Sequence, residues 1–94
     1  MLKVVLSNQF KKDIVSARKR GLKLDQLYEV INMLTNGEVL PEKYHDHQLI
    51  SNYQGFRECH IKPDWLLIYH INHEELELYL FRTGSHSDLF YEKQ

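Results

Sequence analysis

The chain opens on a short apolar run, Leu2 to Leu6, and then turns polar, with Phe10, Ile14 and Ala17 recurring at three- and four-residue spacing. The run predicts a strand. The spacing predicts a helix to about Arg20, capped by Ser7 and stopped at Gly21, with its lysines and arginines largely outside the apolar stripe. Leu27, Ile31 and Leu34 form a second stripe, which predicts a helix capped by Asp25, running to about Asn36 and ended by Gly37. The brief link from Gly21 to Leu24 makes the two helices an antiparallel pair.

After Pro41 the pattern changes to period two or to continuous apolar runs. Four strands are predicted: His45 to Ile50, Phe56 to Lys62, Trp65 to Ile71 and Leu76 to Thr83. The breaks between them, Ser51 to Gly55, Pro63-Asp64 and Asn72 to Glu74, are short enough for hairpins. Trp65 to Ile71 is apolar on both faces and is expected at the centre of the sheet. Leu76, Leu78 and Leu80 alternate with Glu75, Glu77 and Tyr79, so one face meets the helices and the other is wetter. The order β-α-α-β-β-β-β implies an α+β fold: an N-terminal strand and a two-helix hairpin packed on one face of an antiparallel-rich sheet.

Length then bounds the picture. Ninety-four residues, 43% of them hydrophobic, make one small domain over 1–94 with a single core. The lone Cys59 excludes an internal disulfide framework and suits a reducing compartment. No run reaches the roughly 18 apolar residues of a membrane span, and the N-terminus turns polar too soon for a signal peptide. A cytoplasmic protein without a membrane partner is expected.

The net charge of −1 argues against binding nucleic acid through overall charge, but the charge is polarised. Lys3, Lys11, Lys12, Arg18, Lys19, Arg20 and Lys23 crowd the first 23 residues against the single acid Asp13. Six histidines, at 45, 47, 60, 70, 73 and 86, are a heavy load for so small a domain. Alternation places Phe56, Glu58, His60 and Lys62 on one strand face and Arg57, Cys59 and Ile61 on the other, which argues against a Cys59–His60 dyad or metal pair. His45 and His47 share a strand face at a spacing that suits either a metal or two solvated imidazoles. Gly84 lets the chain turn at the sheet's end, so His86 sits on a loop whose position the sheet fixes. Asp88 can cap a last turn of helix, and Leu89 or Phe90 can close the core.

The segments Tyr44-His45-Asp46-His47-Gln48-Leu49, Phe56 to Tyr69 (FRECHIKPDWLLIY) and Arg82 to Phe90 (RTGSHSDLF) resemble the YafQ-type toxins of the RelE superfamily. The likeness spans the whole chain in length and element order. It implies a RelE-like fold and a ribosome-dependent mRNA endoribonuclease of a type II toxin–antitoxin module. It further implies His47, His60, Asp64 and His86 as catalytic positions and Phe90 as the family's aromatic, with no cofactor and no metal. The partners it implies are the ribosome with its translated mRNA, and a cognate antitoxin of the DinJ/RelB type, itself a DNA-binding dimer. A net charge near neutrality departs from a superfamily that is usually strongly basic.

Elementary chemistry fits this assignment. Cutting RNA without a metal needs a base for the 2′-OH proton, an acid for the leaving 5′-oxygen and positive charge on the phosphorane, and imidazoles fill all three roles. Asp64 can orient one histidine, while Phe90 or Trp65 can stack on a base and Arg82 can contact the RNA backbone. Lys11, Lys12, Arg18, Lys19 and Arg20 are expected to touch ribosomal RNA. Two rivals remain at this stage: a ParE-like toxin that inhibits DNA gyrase by binding, and a small metal-binding module using His45, His47 and another histidine.

Overall fold

A computed structural model describes residues 1–50 and 53–90. The first strand, β1 (Lys3–Leu6), leads into helix α1 (Asn8–Lys19) at Ser7, whose hydroxyl accepts the Phe10 amide. Gly21, at φ 80°, supplies the left-handed turn that releases the chain toward helix α2 (Leu24–Thr35). Here the expected cap moves: Lys23 occupies the N-cap position without a side-chain bond, and Asp25 lies inside the first turn, where its charge still favours the helix N-terminus.

The sheet comprises β1, β2 (His47–Gln48), β3 (Arg57–Lys62), β4 (Trp65–Asn72) and β5 (Glu77–Gly84), in the order β1-β5-β4-β3-β2. β4 is central, as its two-sided apolar run predicts. All neighbours are antiparallel except β1 and β5, which run parallel with Lys3 opposite Glu77. Phe10 from α1 and Leu27, Val30 and Leu34 from α2 pack on Cys59, Leu67, Tyr69, Leu78 and Leu80, so both helices cover one face.

The second face is drier than the alternation suggests. Leu66 and Ile68 are fully buried there beneath Leu89, Leu49, Tyr53, Phe56 and Phe81. Leu89 belongs to a short helix, α3 (His86–Phe90), that folds back over the sheet's end.

Three local expectations need correction. The strand expected over His45 to Ile50 contracts to His47–Gln48, because Pro41 starts a 3-10 turn over Glu42–Tyr44 that ends with His45 in the left-handed region at φ 51°. His45 therefore shares no strand with His47. Leu76 leaves β5 and adopts φ 55° in a turn stapled by Asn72, whose side-chain oxygen accepts the amides of Glu74 and Glu75. The last turn starts at His86 and not at Asp88: Ser85 and Asp88 exchange side-chain-to-amide bonds of 2.9 and 3.1 Å, a reciprocal cap of the Ser-x-x-acid kind.

Candidate active site

β3 carries Glu58 and His60 two residues apart, on the face away from the helices. Its neighbour β2 sets His47 directly opposite Glu58, and the Nε2 atoms of His47 and His60 lie 3.2 and 3.5 Å from the same Glu58 oxygen. Glu58 is 5% exposed, so this carboxyl has little water to turn to. The Nδ1 of His47 sits 2.7 Å from the His45 carbonyl oxygen, which can only accept, so that nitrogen holds a proton.

Asp64, in the turn between β3 and β4, reaches His86 at the start of α3. One carboxylate oxygen accepts both the His86 backbone amide at 2.9 Å and its Nδ1 at 2.6 Å. These bonds hold the Asp64 carboxyl below its ordinary range, the backbone amide contributing most. They also fix the ring, so Nε2 is the nitrogen left to work.

His60 is the hub. Its ring centroid lies 5.6 Å from His45, 6.2 Å from His47 and 5.8 Å from His86. The structure thus brings together His47, His60, Asp64 and His86, and adds Glu58 and His45, which pattern reading had not assigned to the chemistry. Glu58 shares the strand face of His60, and that spacing was the available signal; its burial was not visible. Phe90 is 37% exposed, with its ring 6.4 Å from that of His86, within reach of a base beside the cleft.

The loop bearing His45 and His47 is moored from the opposite side of the sheet. Asp46 accepts the Tyr69 hydroxyl at 2.6 Å and the Arg57 guanidinium at 3.2 to 3.3 Å. Burial, with Asp46 adding to it, pushes the Tyr69 hydroxyl well up, so it donates and does not ionise. Cys59, fully buried in the helix-side core, has its thiol pushed up by desolvation and takes no nucleophilic part.

Two residues expected to contact RNA are built into the scaffold instead. Trp65 is 3% exposed, packs in the main core and donates its indole N–H to Thr83 at 3.0 Å, leaving no ring face for a base. Arg82 follows a one-residue register slip between β4 and β5 and donates to the buried Asp13 of α1 at 2.8 and 3.2 Å. Asp13 also accepts the Thr83 amide at 3.0 Å. All five basic residues on α1 and its C-cap, Lys11, Lys12, Arg18, Lys19 and Arg20, are exposed, and Arg20 also grips Asp88 at 2.6 and 3.1 Å. Among the described residues no set of three or more His, Cys, Asp or Glu side chains is arranged as a metal site, and no helix is long and apolar enough to cross a membrane.

Comparison with known proteins gives the class of this fold, the toxins of bacterial type II toxin–antitoxin systems. Residues 2–91 match the family described as "Bacterial toxin of type II toxin-antitoxin system, YafQ". The mRNA interferase toxin YafQ of Escherichia coli B/BL21-DE3 is 40% identical over 85 residues, covering 89% of this chain and 90% of that one. A metal-bound toxin from Helicobacter pylori superposes with a TM-score of 0.90 at 46% identity, covering 96% of this chain and all of that one. YafQ in the E. coli DinJ-YafQ complex superposes at 0.87 with 37% identity, covering 96% and 99% of the two chains. The chain belongs to the YafQ toxin family.

Proposed function

We propose that this protein is an mRNA endoribonuclease that cuts by internal attack of the 2′-OH, with histidines as acid and base. The carrying observation is the convergence of His47 and His60 on the buried Glu58, with His86, aligned by Asp64, 5.8 Å from His60. A base takes the 2′-OH proton, the 2′-oxygen bonds to phosphorus, the bond to the 5′-oxygen breaks, and an acid protonates that oxygen. The products are a 2′,3′-cyclic phosphate and a 5′-OH. The two proton transfers fall to the Asp64-held His86 on one side of the scissile phosphate and the Glu58-linked pair on the other, with His60 beneath. Phe90 offers its ring to a neighbouring base. A DNA gyrase inhibitor that works by binding alone would give this cluster no task.

The substrate is mRNA on the ribosome, reached through the exposed Lys11, Lys12, Arg18, Lys19 and Arg20, the last also paired with Asp88. The E. coli relative's complex supports a cognate antitoxin of the DinJ kind as the protein partner. The reaction proceeds without a metal, because the imidazoles supply both proton transfers. The H. pylori toxin is described as metal-bound, so metal dependence is measured directly.

The test is primer extension on translated mRNA, with end-group analysis of a model RNA in excess chelator. Cyclic-phosphate and 5′-OH ends that persist in chelator are expected. His86→Ala should retain the fold and lose about 10²–10⁴-fold in rate. Wild-type rates in that variant, or 5′-phosphate products, refute the mechanism.

A further inference from the structure

β2 pairs with β3 only at Glu58 and Arg57, so among the described residues the outer edge of β3 from Cys59 to Lys62, opposite its pairing with β4, has no strand beside it. Along that open edge lies a cleft of about 510 Å³ lined by Lys43, His45, His60, Ile61, Lys62 and Pro63. It shares His45 and His60 with the candidate active site, while His86 is not among its lining residues. No carboxylate lines it. Among the described residues neither Lys43 nor Lys62 enters an ion pair, in a chain where Arg20, Arg57 and Arg82 all do.

The backbone here is set with care. His45 takes the left-handed conformation at the end of the 3-10 turn, which His tolerates better than most residues but which still costs energy. Its amide is spent on the Glu42 carbonyl and its own carbonyl on His47, while its ring, edge-on to His60, makes no hydrogen bond among the described residues. A one-residue irregularity between His60 and Lys62 re-aims the end of β3. Two lysines and the His45 imidazole thus line one hollow beside His60, with the Lys43 ammonium 5.1 Å from the Tyr44 ring centroid.

We propose that the cleft between Lys43, His45 and Lys62 holds the RNA phosphate adjacent to the one that is cut. The inference rests on the endoribonuclease reading, since only that reading puts a phosphate over His60. With the scissile phosphate there, the neighbouring phosphate along the strand falls at this hollow, where two ammonium groups and an imidazole N–H receive it. The subsite makes up locally for the chain's near-neutral net charge. It also gives the substrate a second point of attachment, fixing which of its linkages lies between the catalytic imidazoles.

Binding and cutting are read separately. Affinity for a short RNA made uncleavable by a 2′-deoxy substitution at the cut site is measured against salt for wild type and Lys43→Ala/Lys62→Ala. The variant should bind more weakly, and its log–log salt slope should flatten by about 0.7 for each phosphate no longer neutralised. A neutral methylphosphonate at one linkage next to the cut site should weaken wild type and add nothing to the loss in the double variant. His45→Gln should raise KM more than it lowers kcat on the cleavable RNA. Unchanged affinity and slope in a folded double variant, or a methylphosphonate penalty as large in the variant as in wild type, overturns the subsite. A wild type that shows the expected binding pattern but cuts no transcript upholds the phosphate site and overturns the endoribonuclease reading.

Discussion

Gly84 is buried at the end of β5, and replacing it with alanine tests how α3 is held. A Cβ built there lies 2.9 Å from an Asp88 carboxylate oxygen and 3.0 Å from the Asp88 Cβ. The oxygen alone could swing aside, but Arg20 grips it at 2.6 Å and the Ser85 amide at 2.9 Å, and the Cβ moves only with the helix. The added methyl must shift α3 by a few tenths of an ångström or open the Ser85–Asp88 cap. Overpacking of this kind costs about 1–3 kcal/mol, which for a domain of this size lowers Tm by roughly 4–8 °C per kcal/mol. His86 begins the displaced helix, so single-turnover cleavage should fall further than stability, toward the ~10²-fold that a misplacement approaching 1 Å brings. The informative control is Asp88→Gly, which removes both close atoms, its own helix-propensity cost cancelling in the cycle. In that background Gly84→Ala should cost less than about 0.5 kcal/mol, giving a coupling energy of at least ~0.5 kcal/mol by urea denaturation. An equal cost in both backgrounds refutes the packing argument.

Further outcomes follow from the polar scaffold. Trp65→Phe should lose about 1–2 kcal/mol with the bond to Thr83 and leave cleavage per folded molecule unchanged; normal stability with a large activity loss would return Trp65 to RNA stacking. Asp13→Ala strands the Arg82 guanidinium and the Thr83 amide and should cost about 3 kcal/mol in thermal unfolding, the low end for a broken buried pair because Arg82 keeps some access to water; a loss below 1 kcal/mol would show the pair to be idle. Arg20 holds the Asp88 carboxyl below its usual range, so the stability this contact adds is complete above the ordinary carboxylate pKa of about 3.9 and disappears as pH falls through the depressed value. NMR titration should show the Asp88 midpoint rising toward the ordinary range in Arg20→Ala; an unmoved midpoint excludes Arg20 as the cause.

Local signals carried the elements whose causes are local. Ser7, Gly21 and the Phe10–Ile14–Ala17 stripe specify α1 within a dozen residues, and the two-sided apolar run from Trp65 names the central strand. Histidine placement on a strand face separated His60 from Cys59 by alternation alone. What escaped depends on residues far apart in the chain. Arg20 looks like any surface cation until Asp88, 68 residues later, lies against it. Arg82 waits in the same way for Asp13, and Trp65 for Thr83. Glu58 was on the right face, yet its burial depends on the whole second layer of Leu66, Ile68 and Leu89 closing around it. The shortness of β2 reflects Pro41 and the strained His45, a competition between a turn and a strand that alternation cannot weigh.

The parallel pairing of β1 with β5 has a consequence for when the protein becomes dangerous. The first strand to leave the ribosome finds its neighbour only after Glu77 and the residues following it have been made, so the sheet cannot close early, and long-range pairing of this kind forms late. His86 is the last of the cluster to be synthesised and hangs from that same closing strand. A growing chain thus carries its histidines dispersed, unable to cut the very message that encodes it.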